Sequence, residues 1–247
     1  MEQRAASRPR DYVRVAGPDA EDFLQRMVSN DVTQAPCEAL LLTPKARVIA
    51  PLVLVRRSSE DFLLLTERGL GEVVTRTLLR SRFAAKVEVE LEEHRSVIVF
   101  RADGEIPNRE YGEEAVELID ADVEPTLSAD ELERMRIEAG TALWGKEIDD
   151  RVLPVEAGLT ERAVSFSKGC YPGQEPIARL HYRGKANRAL RVLSVEGAGE
   201  GDELRYREKV VGRITSAASG VALAYVRTEV PEDAELVSET GRARSLH

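Results

Sequence analysis

Lys168-Gly169-Cys170-Tyr171-Pro172-Gly173-Gln174-Glu175, running on through Ala178-Arg179-Leu180 and Tyr182-Arg183-Gly184, is the stretch on which the reading of this chain turns. A thiol follows a Lys-Gly pair at what reads as the start of a helix. From Lys168 to Arg191 six Lys/Arg stand against one acid, a local +5, which leaves −14 on the rest of a chain whose net charge is −9. A reversal of sign that large marks a landing place for an anionic partner. Only a thiolate is a good nucleophile or metal ligand, and a helix N-terminus with Lys168 nearby would lower the pKa of Cys170. The competing reading is a small buried filler, the commonest fate of a free cysteine. Gly169 and Gly173 favour the first reading, because glycine lets a backbone approach a ligand closely.

Upstream, Tyr12-Val13-Arg14-Val15 alternates as a strand, and Gly17-Pro18-Asp19-Ala20 opens a helix that buries Phe23, Leu24, Met27 and Val28. Leu40-Leu41-Leu42 and Val48 to Val55 read as strands joined at Thr43-Pro44-Lys45-Ala46, and Phe62 to Thr66 returns as a hairpin partner. A helix is expected over about Leu70 to Phe83, with Val73, Val74, Thr77 and Leu78 on its inner face. Strands follow at 87–91, 97–100 and 115–119. Ala121 to Thr126 is a polar linker, and Ser128-Ala129-Asp130-Glu131 is a capping box before a helix from Leu132 to Ala139, stopped by Gly140. After Arg188, short alternating strands with Gly-containing turns predict a small antiparallel barrel. The fold class is therefore α+β, with split βαβ units in the body and a β-barrel at the C-terminal end.

Composition bounds the function. Hydrophobic residues at 43% and charged residues at 32% describe an ordinary soluble globular chain. There is no run of 18 or more apolar residues, so no membrane contact is expected, and Met1 to Arg10 lacks the apolar core of a secretory signal. Cys37 and Cys170 stand far apart, which argues for a reducing cytoplasm and against a disulfide scaffold or any metal held by this chain alone. Cys37 reads as structural or surface. Overall acidity excludes a general nucleic-acid coat, while the basic window leaves room for RNA contact.

Two further clusters carry chemistry. In Arg136-Ile137-Glu138-Ala139-Gly140 an acid sits at the unfavourable end of a helix. Its carboxylate suits the paired N–H donors of a pterin, though on these residues alone a solvated glutamate is the better reading. Arg179, His181 and Arg183 alternate about Leu180 and Tyr182, which in an extended segment would align three basic groups for polyglutamate or phosphate. A solvated face is the plain alternative, and a lone histidine makes no metal site.

The octapeptide resembles the signature of the YgfZ family, folate-binding proteins linked to iron–sulfur cluster maintenance and similar in fold to the glycine-cleavage T-protein, an aminomethyltransferase. The resemblance spans nearly the whole chain. Val15-x-Gly17-x-Asp19-Ala20-x-x-Phe23-Leu24-Gln25 and Ser29-Asn30-Asp31-Val32 look like the opening of both families. Glu133-Arg134-x-Arg136-Ile137-Glu138-Ala139-Gly140, Trp144-Gly145-Lys146-Glu147-Ile148 and Leu153-Pro154-Val155-Glu156-Ala157-Gly158-Leu159 look like their shared folate segment.

The resemblance implies a T-protein-like body around a central channel for tetrahydrofolate or a derivative. Its divisions would be 1–39 with 121–170, then 40–120, then 171–247. Glu138 falls where the T-protein holds the pterin, with Arg136, Trp144, Tyr171 and Gln174 as further contacts. Arg179 and Arg183 would receive the glutamate tail. Replacing Glu138 by Ala should then cost roughly 10- to 100-fold in folate affinity. Cys170, helped by Lys168, would be the reactive group. Iron–sulfur clients or assembly proteins are the implied partners, with an indirect effect on tRNA modification. T-proteins carry an acidic pair where this chain has Ala50-Pro51, which argues against aminomethyl transfer. A one-carbon transferase and a non-catalytic RNA-binding adaptor stay open as alternatives.

Overall fold

Apolar runs and alternating strands become antiparallel sheet. The computed structural model describes residues 3–246. In it β1 (Ala5–Ser7) and β2 (Arg10–Ala16) precede α1 (Ala20–Met27), and β3 (Cys37–Leu42), β4 (Val48–Ser58) and β5 (Asp61–Glu67) lead into α2 (Gly71–Ser81). Next come β6 (Glu88–Glu92), β7 (Ser96–Phe100), β8 (Pro107–Asn108) and β9 (Ala115–Ile119), then α3 (Ala129–Glu138), α4 (Thr160–Ala163) and α5 (Gln174–Arg183). The final segment is all strand: β10 (Arg188–Glu196), β11 (Glu203–Tyr206), β12 (Lys209–Ala218), β13 (Val221–Arg227), β14 (Glu235–Val237) and β15 (Arg242–Ser245).

These strands make a five-stranded sheet in the order β3-β4-β5-β2-β6, a four-stranded sheet β1-β7-β9-β8, and a closed barrel β10-β13-β12-β11-β14-β15. The α+β body and the C-terminal barrel are as expected. Sheet pairing crosses the expected division at 39/40, because β2 is hydrogen-bonded between β5 and β6.

The strand β3 is apolar without alternation from Ala39 to Leu42 because both of its faces are covered. Ala39 and Leu41 join Phe23, Leu24, Leu54 and Phe62 in one core; Leu40 and Leu42 join Ile148, Leu159, Tyr171 and Ile177 in another. The second core brings the octapeptide against the five-stranded sheet. Helix α2 buries Val74 and Leu78, one turn apart, while Val73 turns outward at 37% exposure. That corrects the inner face expected for it: the stripe at spacing four meets the sheet, and Val73 lies off it. The capping box forms, with Ser128 accepting from the Glu131 N–H and the Glu131 carboxylate accepting from the Ser128 N–H. Among the described residues no helix is long and apolar enough to cross a membrane.

Candidate functional site

Two adjoining cavities, of about 50 and 160 Å³, share Glu38, Val53, Pro107, Arg109 and Arg162 and read as one channel between the two body sheets and the 141–163 segment. Cys37 and Glu38 enter it from the start of β3, and Arg162 from α4. Burial pushes the Glu38 carboxyl up from its ordinary pKa, against the opposing pull of Arg162, whose Nε lies 3.5 Å away. Behind Glu38 lies an ion network. Arg10 grips Glu117 through two bonds of 3.0 and 2.8 Å and also reaches Glu110 at 2.9 Å. Burial works to raise the Glu110 carboxyl, but Arg10 and Arg8 outweigh it and hold the group well below the usual range. On β4, Pro51 lines the cavity while Ala50 is buried in the core behind it. Neither side chain can carry a proton.

The octapeptide is fastened at both ends. Lys168 Nζ donates to the carbonyls of Val28 and Asn30, each at 2.8 Å, and lies 5.4 Å from the centre of the Tyr171 ring. Burial brings the Lys168 ammonium down to about 8, and the neighbouring acids that resist this shift are Asp31 and Cys37. The expectation that Lys168 serves Cys170 is therefore corrected: its amine is committed to main-chain carbonyls on the α1–β3 connection. At the other end Gly173 caps α5 with φ +86°, and a Cβ there would sit 2.7 Å from Thr43 O and 3.0 Å from Ala46 Cα. Gly173 thus admits the protein's own turn rather than a ligand, and Gly169 has nothing within 4 Å of such a Cβ. Between the fastenings Cys170 is exposed, three residues before the cap of α5 rather than at it.

Asn30 joins the two regions. Its side-chain amide donates to Glu38 O at 2.7 Å and to Arg162 O at 3.1 Å, while its own carbonyl receives Lys168. The octapeptide lysine is consequently one residue removed from the backbone that carries the channel's charged pair. Cys37, read from the sequence as structural or surface, lines the channel, and burial pushes its thiol up to about 11.

Other expected contacts lie elsewhere. Arg136 is buried with all five N–H donors used, on both Glu133 oxygens, Thr141 O, Glu147 and Ser216, so it ties α3 to the barrel and has no donor left for a ligand. Glu138 does not line the channel; it is exposed and accepts from Arg134 at 2.8 Å. Trp144 is half-buried between the two cores. Tyr171 is buried, and burial pushes its hydroxyl up to about 12. Gln174 is the first residue of α5. The extended basic row is overturned, because residues 174–183 are helical. Glu175 and Pro176 suit the first turn, and Ile177 and Leu180 supply helical spacing. Arg179 and Arg183 then share a face four residues apart, whereas His181 turns aside to stack on Phe166 with ring centres 4.0 Å apart. No group of three or more side chains suited to a metal ion occurs among the described residues.

No family model matches the chain. An uncharacterized protein of Haemophilus influenzae is 30% identical over 227 residues, covering 84% of this chain and 81% of its own length. A tRNA-modifying protein YgfZ from Edwardsiella ictaluri is 26% identical, covering 91% of this chain and 84% of its own. A mitochondrial iron–sulfur cluster assembly factor homologue from Pyricularia oryzae is 23% identical, covering 96% and 75%. Among solved structures, the glycine cleavage system aminomethyltransferase T of Bartonella henselae superposes with a TM-score of 0.85 at 20% identity, covering all of this chain and 86% of its own. The fold is thus that of the T-protein. Within that class, the chain belongs to the YgfZ family.

Proposed function

We propose that this protein binds tetrahydrofolate or a derivative in the central channel and supports the assembly or repair of iron–sulfur clusters in the cytoplasm, with tRNA modification affected indirectly. The observation that carries the folate part is the channel's charge pattern. Glu38, with its raised pKa, lies beside Arg162 and Arg109 in a cavity whose β4 wall is Pro51, Leu52 and Val53, with no acid among them. That set fits the group: a carboxylate accepts the pterin's N–H donors, and two guanidiniums suit a glutamate tail. We therefore assign the pterin-holding role to Glu38 rather than Glu138. Bound folate would supply one-carbon chemistry, but Pro51 offers no acid to drive aminomethyl transfer. Asn30 orients the Glu38 and Arg162 backbones.

The cluster-related part rests on the names of the relatives and on Cys170. Its thiol is accessible on an anchored loop. A single thiolate falls short of the usual four-cysteine set, so a partner protein or glutathione would complete any ligation. Calorimetric titration with tetrahydrofolate tests the channel. Wild type binds, Glu38→Gln loses roughly 10- to 100-fold in affinity, and Glu138→Ala and Cys170→Ser bind as wild type. Absence of binding heat for wild type sinks the folate reading. Loss with Glu138→Ala but not Glu38→Gln returns the role to Glu138. Cys170→Ser should still fail to restore iron–sulfur enzyme activity in cells lacking the protein; full restoration would remove the thiol from the mechanism.

A further inference from the structure

The most exposed large hydrophobic side chain among the described residues lies far along the chain from Cys170, just past the end of α2. Phe83 is 92% exposed and Leu79 43%. Phe83 takes φ +44°, a left-handed turn that a bulky residue adopts only when the surrounding chain imposes it. From Val73 to Lys86 there are four bases and no acid; Arg76 is matched by Glu72, which leaves Arg80, Arg82 and Lys86. An exposed aromatic flanked in sequence by cations, in a chain of net charge −9, has the composition of a contact surface.

The molecule also carries the complementary shape. A cavity of about 330 Å³ opens beside β1 and the start of α3, with Ala6, Tyr111, Leu127, Leu132 and Leu143 in its wall. About 150 Å³ of apolar space suffices for a benzene ring. From Ala121 to Glu133 the chain bears five acids and no base. Glu133 is matched by Arg136 and Lys146, and Glu131 is engaged in the Ser128 cap, which leaves Asp122, Glu124 and Asp130 in the segment that borders the cavity through Pro125, Leu127, Ala129 and Leu132. Two arginines in the wall, Arg8 and Arg136, are already spent on internal carboxylates.

We propose that a second copy of this chain is the occupant: the Phe83 knob of one molecule enters the Leu127–Leu132 cavity of the next, with Arg80, Arg82 and Lys86 facing Asp122, Glu124 and Asp130. The two surfaces differ, so the contact is head-to-tail and builds rings or open chains rather than an isologous dimer. It engages neither the channel nor Cys170.

Sedimentation velocity over a concentration series tests this. At about 0.01 M salt, where the Debye length is about 30 Å, the mass should rise with concentration, and it should fall back at about 1 M. Phe83→Ser should weaken association by roughly 10- to 100-fold, the range for one buried aromatic side chain. Glu124→Lys with Asp130→Lys should do the same from the cavity side. The decisive arm mixes the two variants. Phe83→Ser keeps its cavity and the double variant keeps its knob, so the mixture should give dimers and nothing larger. A wild type that stays monomeric at all concentrations overturns the proposal, as does a monomeric mixture. So does Phe83→Ser associating like wild type, or wild type pelleting with phosphatidylglycerol vesicles without self-association, which would give the knob to a membrane surface.

Discussion

Replacing Gly173 by Ala is the sharpest test of how the octapeptide is built. Two penalties add at this position. A left-handed backbone at φ +86° costs a residue with a Cβ about 1–2 kcal/mol. The new methyl would also meet Thr43 O at 2.7 Å and Ala46 Cα at 3.0 Å, both main-chain atoms. That turn has little room to retreat: Thr43 N donates to Arg47 O and Ala46 N to Thr43 O, each at 2.9 Å, and Ala46 is fully buried. Overpacking of this kind costs about 1–3 kcal/mol. Together the two predict a loss of about 2–5 kcal/mol, or roughly 4–20 °C in Tm for a chain of this size. Gly169→Ala is the internal control. It lies next to the Lys168 anchor in the same loop, has open space around it, and should change stability by less than about 0.5 kcal/mol. Urea unfolding of both variants, followed by circular dichroism, gives the comparison. If the two variants fall within about 1 kcal/mol of each other, the close approach of Gly173 to the 43–46 turn is not what holds the loop.

Arg136→Met removes the partner of Glu147, whose side chain is fully buried, and should cost about 3–5 kcal/mol in urea unfolding; Glu147→Gln in the same background should recover part of that loss. Hydrogen bonds from Arg136, working against burial, hold the Glu133 carboxyl at about 2, below its ordinary 4.5. A depressed carboxylate contributes stability above its unfolded pKa, so this contribution should be lost as the pH falls from about 4.5 towards 2, and Arg136→Met should flatten that part of the urea-midpoint profile. Thiol titration with Ellman's reagent at pH about 8 should show one fast group, because Cys170 is exposed whereas burial raises the Cys37 thiol to about 11. Cys170→Ser should abolish the fast phase and Cys37→Ser should leave it intact.

What could be read in the sequence was whatever rests on local patterning. The barrel strands and the Ser128–Glu131 capping box each depend on neighbours within a few residues, whereas the missing acids at Ala50-Pro51 were legible only through the resemblance to the T-protein. The channel does not. Glu38, Arg109 and Arg162 come from three distant parts of the chain, and no spacing rule joins them. The one local hint was a charged residue heading the apolar run Ala39–Leu42, a strand buried on both faces. The basic row failed for a different reason. Residues 174–183 satisfy period two in their charges and helical spacing in Ile177 and Leu180, and burial of Ile177 against the second core decides for the helix.

Lys168 and Gly173 misled in a way that bears on Cys170. Each was read as serving the thiol or a ligand, and each instead serves the loop: Lys168 pins it to Val28 and Asn30, and Gly173 seats it on the 43–46 turn. A loop clamped on both sides of an exposed thiol presents that thiol outward. The residues that would activate it from within are already engaged elsewhere. On the proposed function, any chemistry of Cys170 would be completed by whatever docks against this surface, so the in-cell phenotype of Cys170→Ser and the proposed folate affinity of the channel are expected to separate.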